Sequence, residues 1–256
     1  MIGLWGLGPE DSRMSERSYA WRPAGIMALR RLAVASLAGA IVGFLVGGVG
    51  GRLAMRLLAG LNAEDAGTLS DDGFTMGQVT LGGTLNLLLV GTVLGILGGG
   101  IFLAVRNLRI GPGWFRAASL AVGAMVVVGV GLVHSGGVDF TLLDPTYAAI
   151  GLILAIPFVY ALALPPLADR WLSSESRLMK TTNRLVLVPL VPWVFPLTPV
   201  AVVLVLGWMA VRAIRAPQGS RSAALLPWLG RLALTIVFAF GLVGLLQTIR
   251  EIYRIT

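Results

Sequence analysis

The chain has 256 residues, of which 56% are apolar and 12% charged, with a formal net charge of +8 and a mean hydropathy of +0.85. Soluble domains carry roughly 25% charged residues, so an ordinary water-soluble protein is excluded and a multi-pass helical membrane protein is the class that fits. Cysteine is absent, which removes disulfide frameworks, thiolate nucleophiles and cysteine-ligated metal centres.

The 20 basic residues are arginines apart from Lys180. They flank apolar runs, which points to orientation in the bilayer and contact with anionic headgroups rather than to nucleic acid. The arginine preference and the Ala, Gly, Leu and Val bias suggest a GC-rich bacterial genome.

Residues 1–31 carry Glu10, Asp11, Arg13, Glu16, Arg17, Arg22, Arg30 and Arg31 and form a polar tail. Arg30-Arg31 ahead of an apolar run has the form of a twin-arginine export signal, but the run is far longer than the roughly 7–15 residues of a signal core. It is instead the first span, over 32–58, roughly 40 Å of helix at about 1.5 Å per residue. Its feature is a ladder of glycines at i+4, Gly39, Gly43, Gly47 and Gly51, extended one turn earlier by Ala35. A second ladder, Gly91, Gly95 and Gly99, lies in the second span, 84–105. Lipid offers no net hydrophobic drive between helices, so small residues that let backbones approach are the expected contact, and the two ladders should pack on each other.

The intervening loop, 62–83, holds Glu64, Asp65, Asp71 and Asp72 and no basic residue. Arg52 and Arg56 lie near the outer end of the first helix, where they are expected to pair with Asp71 and Asp72 or to bind an anion. The third span, 117–134, ends at His134 and leads into a second acidic loop with Asp139 and Asp144. The fourth span, 147–167, should be kinked at Pro157 and ended by Pro165-Pro166. Arg106, Arg109 and Arg116 follow the second span, and Arg170, Arg177, Lys180 and Arg184 follow the fourth. Acidic and basic connections alternate, which by the positive-inside rule places the N-terminus in the cytoplasm.

Residues 185–215 form an apolar run interrupted by Pro189, Pro192, Pro196 and Pro199. Thr198-Pro199 has the form of an N-cap followed by proline at the first helical position. The run either crosses once as a broken fifth span or folds back as a re-entrant hairpin buried against protein. A single crossing leaves 14 basic residues inside and six outside; the hairpin leaves 16 inside and four outside. The charge count favours the hairpin and general precedent the crossing; the expectation adopted is the crossing, followed by a sixth span over 225–248 and a cytoplasmic C-terminus.

Ionisable residues inside a bilayer mark functional sites by default, yet no Asp or Glu falls within these spans. The lone His134 suits a solvated interfacial position better than a His-Asp-Asp metal site. Asp71-Asp72-Gly73 lacks the spacing of an EF-hand loop, and neither a G-x-S-x-G elbow nor a P-loop occurs. Trp114, Trp171, Trp193, Trp208 and Trp228 lie near span ends, as aromatic-belt residues do.

The sequence therefore predicts an all-α, polytopic plasma-membrane protein of about six spans. Residues 1–31 form its cytoplasmic tail and 32–256 a single transmembrane domain. No cofactor, metal or catalytic set is expected. The function that fits is a non-enzymatic helical-bundle component that packs with itself or a membrane partner. The alternative is a small permease for a neutral or anionic solute, with 185–199 lining its pathway.

Overall fold

Hydrocarbon supplies no partners for backbone amides, so a chain rich in apolar residues must satisfy them within each segment. The computed structural model describes residues 9–65, 67, 78–109, 111–137, 140, 143–181, 183–195, 197–202 and 221–255, with the backbone alone described for 9–24, 65 and 221–227. Regular structure among them is entirely helical.

Helix α1 (Pro9–Val42) passes without a break into a π-helical stretch (Gly43–Gly50) and then α2 (Gly51–Leu61). Helix α3 (Leu81–Val105) starts at Thr80, whose hydroxyl accepts from the Gly83 amide at 3.1 Å, and runs antiparallel to this first column. Helix α4 (Gly113–Leu132) and α5 (Thr146–Trp171) form a second packed pair. After a short helix (Arg177–Lys180), a 3-10 stretch (Arg184–Leu190) and a single turn (Val191–Val194), the last long helix is α6 (Arg221–Ile255). Five described helices are long and apolar enough to cross a membrane: Gly25–Leu61, Leu81–Val105, Gly113–Leu132, Thr146–Trp171 and Trp228–Ile255.

Pro165 and Pro166 do not end α5, contrary to expectation; with Pro157 they lie inside a helix that continues to Trp171. The helix continues for more than a turn beyond the prolines because Leu164, Ala168 and Leu172 are buried against Val34, Ala35 and Phe102. Neighbouring helices can hold a proline-interrupted membrane helix together in this way.

The proline-rich run has no long helix among its described residues, 184–195 and 197–202. Pro189 and Pro192 lack the amide protons that a continuous helix needs, and the chain breaks into short turns that lie on α1. Val186 is buried with Val34 and Ala35, and Leu197 with Ile96. Thr198 does not act as the expected cap acceptor: its hydroxyl donates to the carbonyls of Val194 at 2.5 Å and Phe195 at 3.1 Å.

The course of α6 is set by its contacts with α4 and the connections at either end of it. A Cβ on Gly230 would lie 3.0 Å from Leu108, and Arg231 Nε donates to the Leu108 carbonyl at 3.4 Å. Further along, Gly241 faces Val126 and Gly244 faces Val130, and the Ser135 hydroxyl donates to Glu251 at 3.2 Å. Helix α6 is therefore parallel to α4. It begins at the end of the bundle that carries the 106–112 connection and finishes at the end that carries 133–137. A single crossing by 185–215 implies the reverse direction for α6.

Candidate functional site: a glycine seam with an arginine end

The glycines of the first column and of α3 meet along one seam. Added Cβ atoms measure how close the backbones are. On Gly39 the atom would collide with the Gly95 carbonyl oxygen and come within 3.0 Å of the Gly99 Cα. On Gly43 it would strike the Gly91 oxygen and lie 2.6 Å from the Gly95 Cα. On Gly99 it would run into the Ala35 carbonyl. Contact is looser at Gly47, 3.2 Å from the Gly91 Cα, and at Gly51 it passes to a side chain, 3.3 Å from Leu87. Only glycine permits backbone-to-backbone approach of this kind, where Cα–H···O contacts and dispersion replace a hydrophobic drive.

An i+4 repeat drifts by about 40° per step on a helix of 3.6 residues per turn, so a straight α-helix would carry Gly51 well round from Gly39. The π-helical stretch changes this rotation. Its wider i→i+5 turns bring both Gly47 and Gly48 onto α3, with Gly48 against Leu88 and a Cβ on Gly91 falling 2.6 Å from the Gly48 nitrogen.

Two aromatic side chains lock the seam from outside. Tyr160 of α5 donates its hydroxyl to the Gly95 carbonyl at 2.7 Å, and its ring occupies the space a Cβ on Gly98 would need. Trp193 is 5% exposed, donates its indole N–H to the buried Ser36 hydroxyl at 2.9 Å, and lies over Gly100. The aromatic-belt expectation fails for Trp193 because the proline-rich run folds inward, where a buried indole N–H needs an acceptor.

Arg52 and Arg56 lie on α2, just past the seam. Here the first column leaves α3 for α4 and α5: Leu58 is buried with Val126, Val133 and Ile150. The Arg52 Nε is enclosed and has no hydrogen-bond partner among the described residues, and Arg56 is exposed. Their expected partners Asp71 and Asp72 lie outside the described residues.

At the opposite end of the bundle Asp169 pairs with Arg106 at 3.4 Å and Arg109 at 3.0 Å, and the Arg109 guanidinium lies 4.9 Å from the Phe102 ring centroid. The carboxylate is 40% exposed, so this pair fixes the connections more than it stabilises the fold. At the Arg52 end, His134 meets the Phe140 ring edge-on at 5.9 Å. Among the described residues no three His, Asp or Glu side chains are grouped for a metal.

Asn62 is a residue that sequence reasoning missed. It is 5% exposed, its amide donates to the Leu58 carbonyl at 2.9 Å, and its oxygen accepts from the Asp144 amide at 2.7 Å. It thereby ties the end of α2 to the start of α5. An asparagine directly after an apolar helix was the available signal, since asparagine commonly terminates helices.

No family model matches the chain, and no curated protein or solved structure matches it either.

Proposed function

We propose that the protein is a non-enzymatic component of the plasma membrane, a helical bundle that packs with itself or with a membrane-protein partner. Five helices cross, the segment 185–215 is re-entrant, the N-terminus is cytoplasmic and the C-terminus is external. This topology leaves 16 basic residues on the cytoplasmic side and four outside, as the positive-inside rule favours.

The observation that carries the reading is the burial of Trp193. A permease using 185–199 as a pathway wall needs that segment to face a cavity, whereas its central side chain is wedged against Gly100 and bonded to Ser36. The surface offered to a partner is the lipid-facing side of α6. Only 6% of its apolar window is buried, and Phe240 is 77% exposed.

The test is photo-crosslinking in native membranes from an unnatural photoreactive residue at Phe240, with the same probe at Val243. A discrete covalent adduct, to a second copy or to one partner, is the expected result. Lipid adducts alone, together with solute counterflow by the purified protein in proteoliposomes, would overturn the reading in favour of the permease.

A further inference from the structure

Beyond α5 the chain turns back on the bundle through the short helix Arg177–Lys180, and the turn borders an open-sided hollow of about 370 Å³. Small-ligand sites fall in the range of roughly 300–1,000 Å³. Trp171 and Leu178 give the hollow an apolar part that packs on the buried cluster of Val34, Phe102 and Ala168. Arg170, Glu175 and Arg177 give it a charged, exposed part. The turn itself is held without those charges: the Ser173 hydroxyl donates to the Arg170 carbonyl at 2.9 Å, and the Ser176 amide donates to the Ser173 carbonyl at 3.1 Å.

The depth of the hollow follows from α5. Tyr160 is bonded to Gly95, near the middle of α3, and Arg170 follows ten residues later, roughly 15 Å along the helix at about 1.5 Å per residue. Half the hydrocarbon thickness is also about 15 Å, so the hollow lies at the level of the lipid headgroups. Trp171 is suited to that depth, since an indole ring is amphipathic.

The charges select the ligand. Arg170, Glu175 and Arg177 border one hollow, yet none of them is ion-paired among the described residues, and the neighbouring Asp169 is taken by Arg106 and Arg109. A simple phosphate would be attracted by the two guanidiniums and repelled by the carboxylate, and a simple amine the reverse. A phosphate joined to a primary ammonium answers all three groups. Guanidiniums donate to phosphate oxygens in a planar fork, and the ammonium donates to the carboxylate of Glu175.

We propose that this hollow binds the headgroup of a zwitterionic phospholipid that carries a primary amine, as phosphatidylethanolamine does. Arg170 and Arg177 hold the phosphate, Glu175 holds the ammonium, and Trp171 and Leu178 contact the glycerol and the upper acyl chain. The site rests neither on the orientation of the bundle nor on its self-association.

The experiment is native mass spectrometry on the delipidated full-length protein in detergent, titrated separately with phosphatidylethanolamine, phosphatidylcholine and phosphatidylglycerol of identical acyl chains. The variants are Arg170→Gln, Arg177→Gln and Glu175→Gln. Arg56→Gln, on an exposed arginine at the opposite end of the bundle, is the control. Wild type and Arg56→Gln should hold the first phosphatidylethanolamine about five- to tenfold tighter than either other lipid, because phosphatidylcholine has no N–H donor for Glu175 and phosphatidylglycerol has no cation. Glu175→Gln should abolish that preference while leaving phosphatidylglycerol bound as well as before or better. Each arginine variant should weaken all three lipids about five- to tenfold, as expected for a lost charge-assisted hydrogen bond. All three side chains are exposed, so these variants should fold, and the Glu175→Gln result is a change in ranking that a general loss of structure would not produce. Absence of a phosphatidylethanolamine preference in wild type, its persistence in Glu175→Gln, or the same losses in Arg56→Gln overturns the site. Full displacement of the lipid by micromolar free phosphoethanolamine would identify a soluble ligand and overturn the lipid as its source.

Discussion

Replacing Gly95 by alanine adds a single methyl group where the seam has no room for one. The new Cβ would collide with the Gly39 carbonyl oxygen and lie 2.8 Å from the Gly43 Cα and 3.1 Å from the Gly39 carbonyl carbon. Both neighbours are backbone, so no side chain can rotate away. Carbon atoms sit comfortably at roughly 3.5–4.0 Å, so α3 must withdraw by about 1 Å, and a gap of that size forfeits a quarter to a half of each dispersion contact. The loss runs along the seam from Ala35–Gly99 to Gly47–Gly91 and also strains the Tyr160 bond to Gly95. Overpacking of this kind reaches about 3 kcal/mol, while alanine gains about 1 kcal/mol over glycine in helix propensity. The expected net loss is therefore about 2 kcal/mol. Gly123, inside α4, has nothing within 4 Å of an added Cβ, so Gly123→Ala should be neutral or stabilising by up to about 1 kcal/mol. Gly47→Ala, with 3.2 Å to the Gly91 Cα, should fall between. Reversible unfolding by SDS in mixed micelles, followed by far-ultraviolet circular dichroism, measures all three. Equal stability of Gly95→Ala and Gly123→Ala would refute the reasoning.

The Trp193–Ser36 contact should show in a double-mutant cycle. Ser36→Ala leaves a buried indole N–H without an acceptor and should cost about 1–3 kcal/mol, and coupling to Trp193→Phe should be about 1 kcal/mol; zero coupling in the same unfolding assay removes the hydrogen bond from the account. Asn62→Ala unpairs the Asp144 amide and should cost about 1–3 kcal/mol, with faster hydrogen exchange at Asp144 and Ala148 but not in the middle of α5. The chain has no native cysteine, so topology can be mapped with single cysteines. Ser222 should label from the same side as Ser174, and Ile255 from the same side as Gly136; accessibility of Ser222 together with Gly136 would restore the single crossing by 185–215.

The helical class was legible because apolar runs of membrane length are a strong signal, and the ladders were legible because their spacing is visible in one dimension. The course of α6 was legible in part: charge asymmetry pointed to the fold-back, and precedent for a crossing outweighed it. The direction of α6 itself rests on contacts distant in sequence, Arg231 with Leu108 and Ser135 with Glu251, for which neither partner carries a pattern of its own. The inward position of Trp193 was hidden for a similar reason, since an indole near a span end has the same sequence context at a lipid interface and in a buried turn. The length of α5 beyond Pro166 was concealed because local proline rules omit the neighbours that hold a broken helix together. For Arg52 and Arg56 the sequence supplied the pair, but the enclosure of the Arg52 Nε depends on side-chain packing that no spacing encodes.

The π-helical stretch acts as a phase shifter between two halves of one helix. The inner half is keyed to α3 through glycines, and the outer half is keyed to α4 and α5 through Ala54 and Leu58. Those two sets of contacts are satisfied together only at one angular offset, and the eight residues Gly43–Gly50 fix it. Removing one residue there would let the helix relax to α-periodicity and change the angle at which everything beyond it is presented, moving Leu58 out of its cluster and changing the face on which Arg52 lies. The stretch should therefore tolerate substitution at lipid-facing positions such as Leu45 and Val49 far better than any change in its length, because its count of residues, more than their identity, encodes the direction in which the outer half points.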